Sequence, residues 1–489
     1  MGTHVNSKLL TDHDTRHAAR AAHRPTPLMS QTDTLFRPDL LARYSANGPR
    51  YTSYPTAPQF RESFDTADYH RAAADPGAAS TDLSLYFHIP FCDTVCFYCG
   101  CNKVVTRNRA HARPYLERLK REIGLQAACF DTQRPVSQLH WGGGTPTFLS
   151  HDEMAELMAA TREHFKLLSD DRAEYSIEVD PREASPDTVA LLRRLGFNRL
   201  SLGVQDFDPR VQQAINRIQP FEMTASVMQA ARTYGFHSIG VDLIFGLPHQ
   251  TVASFSRTLD TMLELAPDRL SVFAYAHMPR LFKMQRQMDP ATLPSSEERL
   301  ALLQRVVERL TEAGYVYIGM DHFALPTDEL ARAQAQRTLH RNFQGYSTRA
   351  ECDLIGFGAS SIGKVGDVYA QNARELPAYT DSIDAGRLAI ARGIRLSADD
   401  RLRRDVITQL MCNLELRFDE FEAAYGIHFA DTFAPELARL RSFEDDGLIS
   451  LGTRKLEVRM AGRMLVRNLA MVFDRYLGEQ TLTRFSRTV

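Results

Sequence analysis

Short runs of apolar residues, many alternating with polar ones, recur along the chain after about residue 50. The first, LSLYFHI at 83–89, leads directly into a loop rich in cysteine. Runs with a similar β-strand pattern follow at intervals of a few tens of residues: VSQLHW (136–141), YSIEV (175–179), RLSLGV (199–204), SIGVDLIF (238–245), RLSVFAY (269–275) and YVYIGM (315–320). The pattern predicts a series of strands separated by longer segments.

The longer segments show helical periodicity. In DEMAELMAATREHF, one face of the predicted helix is mostly apolar and consists of Met154, Leu157, Met158, Thr161 and Phe165. Strands that alternate with amphipathic helices predict an α/β fold, with a parallel sheet or barrel and helices on its outside. Such folds carry their chemistry in loops at the carboxyl ends of the strands.

The alternation stops beyond about residue 376. DDRLRRDVITQLM, RFDEFEAAYG and APELARLRSFEDDG have helical patterns, GLISLGTRKLEVRM is typical of a small hairpin, and GRMLVRNLAMVFDRYL predicts a final helix. Helices followed by a hairpin can form a DNA-binding winged helix. However, residues 401–489 carry 14 Lys and Arg against 13 Asp and Glu, with no basic face. The preferred interpretation is a mainly helical cap or substrate lid.

Composition narrows the class of protein. The 489 residues are 44% hydrophobic and 24% charged, and the formal net charge of −2 favours neither nucleic acid nor an anionic membrane. No stretch approaches the roughly 20 apolar residues of a membrane helix. The polar residues 1–35 predict a disordered N-terminal extension. Residues 36–375 then form the α/β domain, and residues 376–489 form the C-terminal domain.

Four of the seven cysteines lie in the loop FCDTVCFYCGC, at 91–101. The other three are scattered singly, which is no disulfide framework and fits a reducing, cytoplasmic compartment. Cys92, Cys96 and Cys99 follow the spacing C-x3-C-x2-C, without a second pair of ligands for structural zinc. The spacing favours an iron–sulfur cluster held by three thiolates, with one iron open. A closed four-cysteine site that includes Cys101 is the alternative.

The cysteine loop, with Tyr98 just before Cys99, resembles the signature of the radical S-adenosylmethionine superfamily. In that superfamily three cysteines bind a 4Fe–4S cluster, and the methionine part of S-adenosylmethionine chelates the fourth iron. HWGGGTPTFL (140–149) resembles the superfamily's glycine motif, where residues without side chains let backbone groups approach a ligand. GVDLIFGLPHQT (240–251) resembles the strand whose tip meets the adenosine.

A closer resemblance, from about residue 36 to the C-terminus, is to the oxygen-independent coproporphyrinogen III oxidase family. It rests on GPRYTSYPTAPQF, CGCNKVVTR, HWGGGTPT, IEVDPRE, LSLGVQDFD, VDLIFGLP, FAYAHMP, GMDHFA and HRNFQGY. The resemblance implies a partial (β/α)6-type parallel barrel with a mainly helical C-terminal domain. It also implies that two propionates of coproporphyrinogen III become vinyl groups, in haem biosynthesis, through a 5′-deoxyadenosyl radical.

The same resemblance assigns roles to individual residues. Cys92, Cys96 and Cys99 match the cluster ligands, and Cys101 matches an extra cysteine that binds no iron. The contacts of the iron-bound S-adenosylmethionine match Tyr86, Gly143, Glu178 and Ile362. The contacts of a second S-adenosylmethionine beside the first match Tyr98, Gly144, Thr145, Gln205, Arg217, Asp242 and Ala276. The residues that hold the propionates are left open.

The partners implied are coproporphyrinogen III and a reduced electron donor such as flavodoxin or ferredoxin, with a monomeric chain and no nucleic acid or membrane. A haem chaperone of the same family is one alternative, but such relatives lack the C-x-C ending of the loop and the PRYTSYPTA segment. A non-enzymatic iron–sulfur electron carrier is another, although it would not need the glycine motif or Glu178 around an open iron. His88, His140 and His322 are predicted to be hydrogen-bonded core histidines.

Overall fold

The structure, a computed structural model, describes residues 35–75, 81–350, 352–477, 485 and 487–488, so nearly all of the predicted N-terminal extension lies outside the described residues. The strands are β1 (Leu83–Ile89), β2 (Phe91–Cys92), β3 (Val104–Val105), β4 (Pro135–Gly143), β5 (Lys166–Leu167), β6 (Glu174–Val179), β7 (Arg199–Gln205), β8 (Ser238–Phe245), β9 (Arg269–Ala274), β10 (Val316–Gly319), β11 (His322–Ala324), β12 (His340–Asn342), β13 (Gly345–Ser347), β14 (Asp353–Phe357), β15 (Ile362–Val365), β16 (Val368–Asn372), β17 (Ile390–Arg395), β18 (Glu415–Arg417), β19 (Ile449–Leu451) and β20 (Lys455–Val458). The α-helices are α1 (Pro38–Arg43), α2 (Thr66–Ala73), α3 (Ala112–Ala127), α4 (His151–His164), α5 (Pro186–Leu195), α6 (Pro209–Ala214), α7 (Phe221–Thr233), α8 (Val252–Glu264), α9 (Ser296–Glu312), α10 (Glu329–Ala335), α11 (Leu376–Asp384), α12 (Ala398–Asn413), α13 (Phe418–Tyr425), α14 (Phe429–Thr432), α15 (Ala434–Asp445) and α16 (Val466–Met471).

Most of these strands join one mixed sheet of 13 strands. Seven neighbouring strands, in the order β14-β1-β4-β6-β7-β8-β9, are parallel to one another. Six of the seven are strands that the hydrophobic pattern predicts, with each end within two residues of its predicted position. The strand order runs from β10 at one edge to β17 at the other without closing, so the described strands form an open, partial barrel as predicted.

Two parts of this sheet differ from the expectation. The predicted strand YVYIGM exists as β10, but it pairs antiparallel with β11, which pairs antiparallel with β9. A tight turn reverses the chain there, with Met320 and Asp321 at φ angles of 47° and 72°. Strands β14 to β17 were not predicted. One reason is that β14 is buried along all of its length and therefore shows no alternation of apolar and polar residues.

The core lies between the sheet and its outer helices. The ring of Phe87 on β1 stacks on Phe357 of β14 at 4.6 Å and meets Trp141 of β4 edge-on at 6.2 Å. Helix α4 begins with a capping box between Ser150 and Glu153, and it buries Met154, Leu157, Met158 and Thr161, four of the five residues of the predicted face. Because side chains alternate along each strand, the neighbours of these core residues lie on the inner face of the barrel.

The C-terminal region contains the predicted helices α12, α13 and α15. The predicted hairpin, β19–β20, gains β18 as a third antiparallel strand. The predicted final helix is wrong in its extent, because Met460–Leu465 is a 3-10 helix and α16 covers only six residues. The 3-10 helix is tightly packed, since a Cβ atom on Gly462 would lie 2.1 Å from the carbonyl oxygen of Leu448. Strand β17 belongs to the main sheet although it lies beyond residue 376.

The segment before β1 connects the barrel to the C-terminal region. The Tyr51 hydroxyl donates to Asp474 at 2.9 Å, and the Asn468 side chain donates to the Tyr44 carbonyl at 2.8 Å. Through these two hydrogen bonds, the N-terminal segment packs as part of the folded body.

Among the described residues, no helix has both the length and the apolar character needed to cross a membrane.

Candidate active site

The cysteine loop begins at the carboxyl end of β1 and is fixed to the glycine motif by backbone hydrogen bonds. The N–H groups of Gly144 and Thr145 donate to the carbonyls of Ile89 and Phe91, each at 2.8 Å. A Cβ atom on Gly144 would lie 2.7 Å from the backbone of Pro90 and Phe91, so this approach requires glycine. The motif was predicted to let a ligand approach closely. At Gly144 the group that approaches is the backbone of the cysteine loop.

Most of the predicted site residues line two adjoining cavities at this end of the barrel. The first, of about 300 Å³, is lined by Cys92, Cys96, Cys99, Tyr98, Gly143, Gly144, Thr145, Glu178, Gln205, Arg217 and Asp242. The second, of about 280 Å³, shares Cys101, Gly143 and Glu178 with the first and adds Tyr86 and Ile362. All four residues assigned to the iron-bound S-adenosylmethionine thus line the second cavity, which also contains Cys101.

Ala276 is the exception among the predicted residues. It lines a separate cavity of about 250 Å³. Its link to the others is Gln285, whose side-chain amide donates to the carbonyls of both Tyr98, at 3.1 Å, and Ala276, at 3.2 Å. The structure therefore brings Ala276 next to the site through one bridging side chain and not through a shared cavity.

Hydrogen-bond donors lie close to the sulfur atoms of Cys92 and Cys99, an arrangement that suits thiolates. The Thr145 hydroxyl lies 3.6 Å from Cys92 Sγ, and the Cys101 N–H lies 3.4 Å from Cys99 Sγ. Among the described residues, no three His, Cys, Asp or Glu side chains are grouped so that they could hold a single metal ion.

The thiols differ in how readily they ionise. A hydrogen bond from Cys101 lowers the pKa of Cys99 to about 5, in spite of burial and with help from the nearby charge of Lys103. Burial raises the pKa of Cys92 to about 11. Since thiolates are the iron ligands, the surroundings of Cys99 favour the form that binds metal, and those of Cys92 favour the protonated thiol.

Glu178, at the carboxyl end of β6, is fixed by the glycine motif and by a histidine. Its carboxylate accepts the Gly143 N–H at 3.0 Å and lies 3.5 Å from His140 Nε2. Burial pushes the pKa of Glu178 upward, but His140 and the Gly143 N–H outweigh it, so the pKa is below its ordinary value. The ring of Tyr86 stacks on His140 at 5.8 Å, and its hydroxyl lies 3.1 Å from His88 Nδ1. The result is a charged carboxylate that suits an ammonium group.

Asp242, on β8, is the second acidic group of the site. Its carboxylate accepts from the Ser201 hydroxyl at 3.4 Å. Burial, together with the negative charge of Glu178, raises the pKa of Asp242 to about 7. The site therefore has one carboxylate, Glu178, whose surroundings favour the anion, and one, Asp242, whose surroundings favour the protonated form.

Two further residues of the site, Asp180 and Arg182, were not predicted, although they lie in the segment IEVDPRE. Asp180 binds both Arg182, at 2.7 Å, and Arg217, at 2.9 Å. Both guanidinium groups then reach Cys96, each with a nitrogen 3.6 Å from its Sγ atom. A lone arginine in a sequence is by default a surface residue, so only the fold shows that Arg182 faces the cysteines.

Comparison with known proteins identifies the family. Residues 86–262 match the model of the radical SAM superfamily, and residues 396–465 match that of the HemN C-terminal domain. The oxygen-independent coproporphyrinogen III oxidase of Pseudomonas aeruginosa is 52% identical over 451 residues, which cover 92% of this chain and 98% of that relative. The chain belongs to the oxygen-independent coproporphyrinogen III oxidase family.

Other members of the family agree. The Escherichia coli oxidase is 48% identical over 451 residues, covering 92% of this chain and 98% of that relative. The solved structure of the Escherichia coli coproporphyrinogen III oxidase, described as a radical SAM enzyme, matches with a TM-score of 0.86 at 47% identity, covering 91% of this chain and all of that one. These matches confirm the predicted fold and the predicted cofactors, a 4Fe–4S cluster and S-adenosylmethionine, and they do not favour the haem chaperone.

Proposed function

We propose that this chain converts coproporphyrinogen III to protoporphyrinogen IX by oxidative decarboxylation of two propionates, without oxygen, as a step of haem biosynthesis. The observation that carries the proposal is the position of Cys92, Cys96 and Cys99 beside Gly143 and Glu178 at the carboxyl ends of the parallel strands. Relatives about half identical over nearly their whole length carry the name of this activity.

In this proposal Cys92, Cys96 and Cys99 hold the cluster, and Cys101 stays free of iron. When bound, the cluster and S-adenosylmethionine would supply the radical chemistry that removes hydrogen from the propionate β-carbon. The chain contributes position and charge. Glu178, held by the Gly143 N–H at 3.0 Å, binds the ammonium group of the methionine part.

The remaining contacts in the first cavity support a second S-adenosylmethionine. This cavity is lined by Tyr98, Gly144, Thr145, Gln205, Arg217 and Asp242, and by the three cysteines. Ala276 contributes through its carbonyl, which Gln285 holds near Tyr98.

Residues 36–375 serve in this proposal as the catalytic domain, and residues 376–489 as a lid that keeps water from the carbon radical. The partners are coproporphyrinogen III and a reduced flavodoxin or ferredoxin. The enzyme acts as a monomer in the cytoplasm, without nucleic acid or membrane. Its seven cysteines, none of them in a disulfide, support a reducing compartment.

The test is anaerobic turnover with a reconstituted cluster, dithionite, S-adenosylmethionine and coproporphyrinogen III, followed by chromatography of the products. The expected products are protoporphyrinogen IX and 5′-deoxyadenosine, and Cys92→Ala, Cys96→Ala or Cys99→Ala should abolish both together with the cluster. Cys101→Ala is the matched control, and it should keep the visible absorption of the cluster. Formation of 5′-deoxyadenosine without a new porphyrin would contradict the proposed substrate.

A further inference from the structure

A loop after β9, at residues 277–288, packs directly on the cysteine loop. A Cβ atom on Gly100, within the cysteine loop, would lie 2.9 Å from the ring of Phe282. In the same loop, the side-chain amide of Gln285 donates to the carbonyl of Tyr98 at 3.1 Å. A molecule bound to the outer side of residues 277–288 therefore lies next to the segment that carries the cluster ligands.

This loop, HMPRLFKMQRQM, is basic. It contains Arg280, Lys283 and Arg286 and no Asp or Glu. All three side chains are exposed, and none pairs with an acidic group of the described residues, although Arg286 donates to the Pro279 carbonyl at 3.0 Å. In a chain with a formal net charge of −2, three such cations in twelve residues are a local excess of positive charge.

A second segment in contact with the cysteine loop has the same sign of charge. Residues 102–107, NKVVTR, contain Lys103 and Arg107 and no Asp or Glu. The Lys103 ammonium donates to the Cys99 carbonyl at 3.0 Å. Arg107 is exposed and pairs with no acidic group of the described residues. The positive charge therefore extends along both segments that touch Cys99 and its neighbours.

Exposed apolar side chains surround the same cysteine loop. Six large apolar side chains are exposed among the described residues, and three of them lie on segments that contact this loop. Leu281, 64% exposed, belongs to the basic loop, and Val105, 44% exposed, pairs with Cys92. Ile218, 58% exposed, follows Arg217, which reaches a cysteine sulfur. Single exposed apolar residues are normal, but several around one loop are typical of a surface that contacts a partner.

Acidic residues do not cancel the positive charge of this surface. Asp93, in the cysteine loop, is paired with Arg109 at 2.5 Å. Asp289, directly after the basic loop, and Glu222, four positions after Ile218, are exposed. The four exposed cations named above outnumber these two exposed carboxylates, so the surface favours an acidic partner.

We infer that this surface, formed by the basic loop, residues 102–107 and Ile218, is the docking face for a small acidic electron-transfer protein. The inference rests on the proposed function, whose cofactor chemistry needs an electron from outside the chain. One electron passes from the reduced cofactor of the partner to the cluster, and no bond forms or breaks. Carboxylates of the partner pair with Arg280 and Lys283, and its apolar surface covers Leu281.

The test compares the holoenzyme with the double variant Arg280→Glu/Lys283→Glu. The probe is an acidic flavodoxin, whose binding is measured by isothermal titration calorimetry and whose reduction of the cluster is followed by stopped-flow absorption. At low ionic strength the double variant should raise Kd on the order of tenfold and slow reduction by flavodoxin. Reduction by dithionite should not change, because dithionite needs no docking face. Added salt should weaken binding to the wild type and narrow the difference.

Arg194→Glu is the matched control. Arg194 is an exposed arginine in the last turn of α5, at the opposite end of the barrel from the cysteines, and its replacement should leave Kd unchanged. Leu281→Ser tests the apolar part of the docking face without a change of charge. It should raise Kd severalfold at low and at high salt, because it removes apolar surface from the contact.

A Kd that is the same in the double variant and in Arg194→Glu overturns the inference, as does unchanged reduction by flavodoxin. A changed oligomeric state of the double variant with unchanged flavodoxin binding also overturns it, and would indicate a second copy of the chain as the partner. If the variants weaken flavodoxin binding and slow cluster reduction while the wild type makes no protoporphyrinogen IX with dithionite, the docking face stands and the proposed reaction fails.

Discussion

At the scale of single residues, Cys96 is the cysteine whose sulfur two positive groups approach. Arg182 and Arg217 each place a nitrogen 3.6 Å from its Sγ atom, and Asp180 holds both guanidinium groups. Positive charge and hydrogen bonds beside a thiolate ligand stabilise the more negative, reduced state of a cluster, and so raise its reduction potential.

Arg182→Gln should therefore lower the reduction potential of the cluster. We expect a shift on the order of tens of millivolts, because one of two positive groups is lost. The measurement is a redox titration followed by electron paramagnetic resonance. Arg210→Gln, which removes an exposed arginine near Asp208, is the matched control. A potential that is the same in both variants would show that Arg182 only positions Asp180.

Another residue-scale feature lies away from the cysteines, at Glu122 on α3. This fully buried carboxylate accepts from the Gly358 N–H and the Tyr379 hydroxyl, each at 2.7 Å, and from the Asn372 amide at 2.6 Å. Burial outweighs these three donors and raises the pKa of Glu122 from 4.5 to about 7. Between these pH values the folded state keeps a proton that the unfolded state has released, so stability falls as pH rises.

The second prediction is that Glu122→Gln removes this pH dependence. The wild type should lose about 3 kcal/mol relative to the variant between pH 4.5 and 7, and nothing more above that window. The measurement is the difference in Tm between the two proteins at several pH values. Glu163→Gln, at an exposed position of α4, serves as the control for removal of a charge. A Tm difference that is constant with pH would contradict the assignment.

At the scale of elements, the glycine motif shows how the sequence constrains the site. Gly144 packs against the backbone of Pro90 and Phe91, which cannot move aside without displacing the cysteine loop. Gly144→Ala should therefore cost about 1–3 kcal/mol, the usual range for overpacking, and reduce cluster occupancy. Thermal unfolding and iron analysis measure the two effects. Gly452→Ala is the control, because its Cβ atom would lie at an ordinary 3.5 Å from the Lys455 carbonyl oxygen.

Periodicity predicts an element best where one face is buried and the other is not. Helix α4 and strands β6, β7 and β9 have this property, whereas β1, β4 and β8 were predicted although they are buried along most of their length. Strand β14 lacks this property, because it is buried throughout. The turn at Met320 and Asp321 reverses the chain between two short strands, and spacing alone does not distinguish such a hairpin from a further parallel strand.

At the scale of the molecule, some parts of the site can be predicted from the sequence and others cannot. The cysteine spacing and the glycine motif are local in sequence, so Cys92, Cys96, Cys99 and Gly143 could be named before the fold was known. The approach of Arg182 and Arg217 to Cys96 could not, because these residues are far apart in the sequence and meet only in the folded chain. Chemistry carried by neighbouring residues is visible in a sequence, whereas chemistry assembled by long-range contacts needs the structure.

Arg467 on α16 makes one such long-range contact, between the C-terminal region and the segment before the barrel. Its buried guanidinium donates to the carbonyls of Pro49, at 3.1 Å, and Gly48, which lie more than 400 positions earlier. It also donates to the Arg487 carbonyl at 3.1 Å. One side chain therefore satisfies carbonyls from both ends of the described chain.

Arg467→Met keeps much of the side-chain volume but leaves these carbonyls without a donor. Each unsatisfied buried acceptor costs about 1–3 kcal/mol, so we expect a Tm several degrees lower and faster proteolysis of the C-terminal region. Cluster content per folded molecule should not change, because Arg467 lines neither cofactor cavity. Arg459→Met, at an exposed position just before the 3-10 helix, is the matched control and should leave Tm unchanged. If both variants unfold at the wild-type temperature, the N-terminal segment does not hold the two parts together through Arg467.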